Sequence, residues 1–457
     1  MRQLRHSTVL DDEEPTGYRH LIDDAVHQAG ILEYRNGLSV QEACILRYIL
    51  NTNKVLKKLT VRRASPSAMR AAFEDVHGSC LEELTLVLID CKGQDFSINW
   101  LEAFRNLRFL SLACDHVRET FATSIANYLR ENTSLIEFTL LSGNIGDDGA
   151  KVLAKSMRAN KTLKRITLQQ QALTSDSLVA FAEALVANST LQMVEVSAVN
   201  FEEERVSCLV EQGTYAGVFK RMHVVWSENL LPHLTSLLRH DNHCDKVSVS
   251  LTAAVNEDVL REFFKAVAAS KTVRSLQFCW TDKTFDALAD GIAYVLRQTT
   301  SVKEIRNLMN VCEECDSQLV RVLDALKENL SVTSFTMFAD CVTQKIAKSL
   351  CDLLTANRTL KELNICENDK ISPETVKIIV GGLRRNYTVT TLKVAWEFDE
   401  EVGLKEIELL LERNALVSSA TTLLPSQRHF EVCVRDDDTA KGRRERTSFA
   451  TLQLKNT

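Results

Sequence analysis

The 457 residues carry a formal net charge of −6, with 45% hydrophobic and 25% charged residues, the balance of an ordinary soluble folded chain. That charge argues against a general binder of nucleic-acid backbones. No run approaches 18 uninterrupted apolar residues, so no membrane-spanning segment is expected, and the 13 Cys read as thiols in a reducing, cytoplasmic setting.

In chain order, Met1 to Pro15 carry Arg2, Arg5 and the acidic run Asp11–Glu14 with no apolar core, unlike a secretory signal. Leu21, Ile22, Ala25, Val26 and Ala29 then have helical spacing, which predicts an N-terminal helical cap over 1–36. Residues 37–424 repeat one phrase, Asn-x-x-Leu-x-x-Leu-x-Leu, about every 28 residues. Taking its first Leu as an anchor gives Leu56, Leu81, Leu107, Leu135, Leu163, Leu191, Phe219, Cys244, Val273, Val302, Val332, Leu360 and Val389, with a degenerate phrase at Asn414 and Val417. Apolar residues three and five places after each anchor, as in Leu363-Asn364-Ile365, predict a short strand with one buried face. A helical stretch follows, such as Ala150, Leu153, Ala154 and Met157, or Leu319, Val320, Leu323 and Leu326. Ser39…Glu42 fits a capping box, and Ser372-Pro373 an N-cap followed by Pro.

The Asn three places before the anchor recurs at Asn53, Asn132, Asn160, Asn188, Asn329, Asn357, Asn386 and Asn414. It is expected to be a turn residue, since Asn tolerates the left-handed conformation that closes helices. One strand and one helix per unit predict an α/β solenoid. Strands about 4.8 Å apart line the inside of an arc, and helices needing about 8–10 Å splay outside. Thirteen strands at that spacing give an inner contour of roughly 60 Å. Between about 199 and 312 the repeat is least regular, with Ala216, Asp241, Ser270 and Thr299 in the place of Asn. From Leu424 the period is lost. Residues 425–457 are expected to be a partly disordered tail, with Asp436–Asp438 followed by the basic run Lys441–Arg446.

The phrase Leu135-x-x-Phe138-x-Leu140, continued by Ile145-Gly146-Asp147-Asp148-Gly149-Ala150 and Leu153-Ala154, resembles the ribonuclease-inhibitor type of leucine-rich repeat. That type occurs in ribonuclease inhibitor, Ran GTPase-activating protein and the arrays of NLR immune receptors. The resemblance implies a horseshoe of 13–14 repeats that binds a protein on its inner face. The family often has Asn or Cys eight places after the anchor, in a side-chain ladder between repeats. Here Asn310 and Asn368 hold that place, but Ala64, Gly143, Val199 and others hold it elsewhere, so a poorly kept ladder is expected.

No P-loop, HExxH, GxSxG or dinucleotide fingerprint is present, and Cys312-Glu313-Glu314-Cys315 is a lone CxxC without a second ligand pair. No enzyme activity, cofactor or metal is expected. If positions +3 and +5 point into the core, positions +2, +4 and +6 face the arc. Those slots hold Arg221, His223, Lys246, Glu304, Arg306, Phe338 and Glu362, a mixed set that suits a protein partner better than nucleic acid. Trp226, Trp280 and Trp396 all stand seven places after their anchors, predicting an aromatic rim at the strand ends. Leu88, Leu251 and Met309 share that phase, so it also admits packed side chains; aromatic residues around the rim of ribonuclease inhibitor favour binding by resemblance. The chain is thus expected to be a monomeric, non-catalytic protein-binding scaffold. The alternatives are a GTPase-activating protein of the Ran type, from which the partly basic tail departs, and the sensor portion of an NLR-like receptor.

Overall fold

The structure, a computed structural model, describes residues 30–423 apart from short stretches, the longest being 90–97 and 395–400. Among the described residues, fourteen parallel strands follow one another in sequence order. They are β1 (Ile31–Tyr34), β2 (Lys58–Ala64), β3 (Glu83–Leu88), β4 (Phe109–Cys114), β5 (Glu137–Leu140), β6 (Arg165–Leu168) and β7 (Met193–Val196). The second seven are β8 (Met222–Ser227), β9 (Lys246–Leu251), β10 (Ser275–Trp280), β11 (Glu304–Val311), β12 (Ser334–Ala339), β13 (Glu362–Glu367) and β14 (Thr391–Val394). Helices connect most neighbours, so the chain is an α/β leucine-rich-repeat solenoid, as the period predicts. Its core is one continuous apolar cluster running from Leu32 to Ile407.

The alternation falls as expected. Leu59 and Val61, Leu84 and Leu86, and Leu110 and Leu112 are all buried behind the sheet. The helix Gly146–Ala159 buries Ala150, Leu153, Ala154 and Met157. In Asp316–Glu328, Leu319, Leu323 and Leu326 are buried with Val322, while Val320 is only half-buried. Ser39 and Glu42 form the capping box, and Ser372 Oγ accepts from the Thr375 amide with Pro373 beginning the helix.

Two differences concern the ends. The sheet begins one strand before the first phrase. Gly30 O accepts from the amides of Lys57 and Lys58 as Lys57 O accepts from Glu82 and Glu83, so β1 occupies a full strand place without a leucine phrase. Gly30 has φ +63°, and a Cβ there would stand 2.9 Å from Val55 O, so this entry point requires glycine. At the other end, Asn414 and Val417 lie inside the helix Glu401–Leu423 and begin no fourteenth phrase. The predicted cap helix at Leu21–Ala29, the Cys312/Cys315 pair and the tail lie outside the described residues.

The recurrent Asn requires the largest correction. Asn53, Asn160, Asn188 and Asn357 have φ between −127° and −65° with extended ψ, so none closes its helix in the left-handed region. The side chains of Asn160, Asn188 and Asn357 form a ladder between repeats, three places before the anchor. Asn160 Oδ1 accepts from the Thr162 and Leu163 amides at 2.9 and 2.7 Å, and its Nδ2 donates back to Leu129 O and Asn132 O of the preceding unit. Asn188 and Asn357 repeat the pattern. A buried primary amide with two acceptor lone pairs and two donor hydrogens satisfies both the orphan carbonyls of one helix end and the turn into the next strand.

Candidate functional site

The inner face is built by residues two, four and six places after each anchor, and lateral register aligns them into lanes. The central lane runs Glu33, Thr60, Thr85, Ser111, Thr139, Thr167, Glu195, His223, each residue paired with the next across the sheet. From β2 to β6 it is therefore an unbroken spine of hydroxyls. The lane on one side carries Lys58, Glu83, Phe109, Glu137 and Arg165, and the other side includes the half-buried Val87 and Leu141. Lys58 pairs with Glu83 at 2.7 Å and Arg165 lies 4.0 Å from Glu137, so these charges largely neutralise one another. Screening and side-chain entropy leave such exposed pairs only a small role in stability.

The hydroxyl spine carries neither charge nor aromatic rings, the features from which the sequence predicts a binding face. Its signal stands in the sequence, since the residue four places after the anchor is Thr or Ser in five consecutive units.

At β7–β9 the lane becomes ionic. His223 is 3% exposed; its Nε2 lies 3.0 Å from Ser248 Oγ, and its Nδ1 stands 3.6 Å from Glu195 Oε1, an electrostatic contact longer than a hydrogen bond. Lys246 Nζ donates to the same Glu195 oxygen at 3.0 Å. The His223 ring and then the Lys246 ammonium hold the Glu195 carboxyl down to about 2, against a desolvation that pushes it up. His223, Lys246 and Glu195 are thus brought together as a cluster. Among the described residues no group of His, Cys, Asp and Glu has the arrangement of a metal site.

Two predicted binding residues face elsewhere. Trp226 is fully buried, because β8 continues the inward alternation Met222, Val224, Trp226, and the rim position is a core position in this unit. Its ring packs on Phe219 at 5.3 Å and His243 at 5.8 Å, and its Nε1 has no hydrogen-bond partner among the described residues. Leu88 and Leu251, at the same phase, are buried too. Arg221 turns sideways and donates to the carbonyls of Leu185, Asn188 and Leu191. Leu185 and Asn188 are the places an Asn at position 216 would bond, so the guanidinium replaces the missing ladder residue. Arg413 does the same for Leu383 and Asn386 while lying over the Tyr387 ring at 4.1 Å.

The later residues are dispersed along the face. Glu304 accepts from Ser275 Oγ at 2.8 Å and pairs with Arg306, and Glu362 accepts from Ser334 Oγ at 3.1 Å. Trp280 ends β10 opposite Leu251, and Phe338 lies in β12 opposite Cys366; their side chains, like Trp396 as a whole, lie outside the described residues. Trp100 packs on Phe73 with ring centroids 4.5 Å apart.

No protein-family model matches the chain. Tropomodulin-4 of Bos taurus is 33% identical over 93 residues, covering 20% of this chain and 26% of that protein. Leiomodin-3 of Mus musculus is 27% identical over 143 residues, covering 31% of this chain and 24% of that protein. The chain therefore spans about a quarter of the length of the curated relatives it matches. Among solved structures, leiomodin-1 actin-binding site 2 covers 41% of this chain and 91% of its own at 18% identity with a TM-score of 0.28. The yeast Rad7 and Elc1 complex covers 85% of this chain and 91% of its own at 13% identity, with a TM-score of 0.45. The chain is of the leucine-rich-repeat type. No helix among the described residues is long and apolar enough to cross a membrane.

Proposed function

We propose that the chain is a non-catalytic scaffold that binds a protein partner on the inner face, chiefly over β2–β7. The observation that carries this reading is the hydroxyl spine flanked by Phe109, Leu141 and Val87. It is a broad, nearly neutral surface with partly exposed apolar anchors and little charge to spare. Such a surface suits a protein, whose recognition combines apolar anchors with a polar surround, better than a phosphate polymer. The likeness to tropomodulin-4 and leiomodin-3 supports protein binding as the class. Actin, named for the leiomodin-1 fragment, is the first partner to try. Glu195, Lys246, Glu304, Arg306 and Glu362, with Trp280, Trp396 and Phe338, remain proposed contacts along the same face.

The test is an affinity capture with the full chain and with Phe109→Ser and Leu141→Ser, alongside co-sedimentation with actin filaments. Loss of a central anchor should weaken a verified partner by ~2 kcal/mol, about 30-fold. Undiminished binding by both variants, with their folding confirmed, would remove the inner face as the site.

A further inference from the structure

At every joint from β1 to β7, and again from β9 to β14, two successive amides donate to one carbonyl of the preceding unit. Lys164 and Arg165 donate to Ile136 O, and Arg274 and Ser275 donate to Asp245 O. Where β7 meets β8 this bond pair is replaced. The amides of Lys220 and Arg221 turn inward to Gly217 O and Val218 O, closing a short 3-10 turn, and Val194 donates to Arg221 O instead.

The strand pairing is divided in the same place. Among the described residues, β8 pairs with β7 through Met222, His223 and Val224, and with β9 through Val225, Trp226 and Ser227. Among the described residues, none in β8 is paired on both sides. Across β7 and β8 the residues four places after the anchors meet as Glu195 and His223. Across β8 and β9, Val225, six places on, meets Ser248, four places on, so the register steps by two residues. The helices beside this seam, Glu203–Glu211 and Leu231–Arg239, have 9 residues each, against 13 in Ser175–Ala187 and Glu257–Ala269. Less helix and less ladder means less cooperative contact between the two halves, since a solenoid is held by its nearest-neighbour interfaces.

Side chains span what the backbone leaves open. Lys246 of β9 reaches over β8 to Glu195 of β7, residues 51 apart in sequence, and Ser248 meets His223. Arg221 ties the entry of β8 to the end of the helix before β7.

We propose that β8 is a hinge between two rigid arms, β1–β7 and β9–β14, and that the Glu195–Lys246 pair is a latch that sets the opening of the inner face. The latch lies on the concave side, so opening the arc parts it and closing the arc preserves it. This inference does not depend on what the inner face binds.

Two measurements test it on the full chain. In hydrogen exchange on the unaltered protein, amides of β8 exchange faster than the paired amides of β6 and β10; equal or slower exchange overturns the hinge. In the second, spin labels attached through non-natural residues at the exposed Lys155 and Lys348 report the distance between arms. Glu195→Gln and Lys246→Met, singly and together, shift and widen that distribution, whereas Lys58→Met, which removes an ion pair within one arm, leaves it unchanged. Superimposable distributions in all folded variants overturn the latch. Charge-swapped Glu195→Lys with Lys246→Glu restores the original distribution if the pair itself is responsible; failure to restore it overturns that assignment.

Discussion

Trp226 shows how one residue's role depends on which way its strand faces. Placed in the core against Phe219, it should behave as a packing residue. Trp226→Ala is expected to destabilise the fold by ~3–5 kcal/mol, read as a lowered denaturation midpoint. Trp226→Phe should cost less than the volume change alone implies, because an Nε1 with no partner among the described residues disappears with the indole. A stable Trp226→Ala protein would overturn the burial. The ladder makes a graded test. Asn160→Ala leaves the Leu129 carbonyl and two amides unmatched, each at about 1–3 kcal/mol, whereas Asn132 O keeps the Thr162 hydroxyl as a donor. Asn160→Ser should recover part of the loss, because Ser270 accepts from the Thr272 and Val273 amides in its own unit. Equal loss in the two variants would argue against the ladder.

Glu195 gives a residue-scale pH dependence. Its folded carboxyl sits at about 2, below its ordinary value of 4.5. A depressed acid stabilises the fold above the unfolded value, and that stability is lost as pH falls from 4.5 toward 2. Glu195→Gln should therefore narrow the difference in melting temperature between pH 5 and pH 2. An acid limb identical to that of the unaltered chain would refute the assignment.

At the scale of the element, strand and helix faces were legible because burial imposes period two on one and 3.6 on the other, and each unit has only one core to face. The capping box at Ser39 was legible for a similar reason, being wholly local. β1 was not, because its four residues Ile31-Leu32-Glu33-Tyr34 lack a leucine phrase and are recruited by pairing with β2. Asn414 misled for the converse reason: its amide still donates to Val389 O, but from within a continuing helix. Helix packing supplies another test. Gly291, in the helix Phe285–Gln298, lies so close to the Phe264 ring that a Cβ would fall 2.0 Å from it. Gly291→Ala should therefore destabilise by ~1–3 kcal/mol despite the better helix propensity of Ala. A gain in thermal stability would show that the helices can separate freely.

For the whole molecule, nearest-neighbour stacking and a weakened middle predict that unfolding is not all-or-none. Urea titration followed by far-ultraviolet circular dichroism should show two transitions, one for each side of β8. Lys246→Met should separate them further. A single transition in both proteins, with coincident fluorescence and dichroism curves, would mean that the arms melt as one unit.

The sequence by itself determined the repeat, the inward and outward faces of the strands and the helix N-caps at Ser39 and Ser372. These follow from chemistry within one unit and its periodic burial, which a one-dimensional pattern records. The candidate site depended on more. The hydroxyl spine was present in the sequence once lateral register was assumed. Three outcomes were decided only by the tertiary structure: the burial of Trp226, the replacement of an Asn by Arg221, and the meeting of Glu195 with Lys246 across β8. The last two depend on contacts between units 30 or more residues apart, which no local period encodes; Trp226 is buried because β8 carries its inward alternation through to a strand-end position whose phase alone did not separate rim from core.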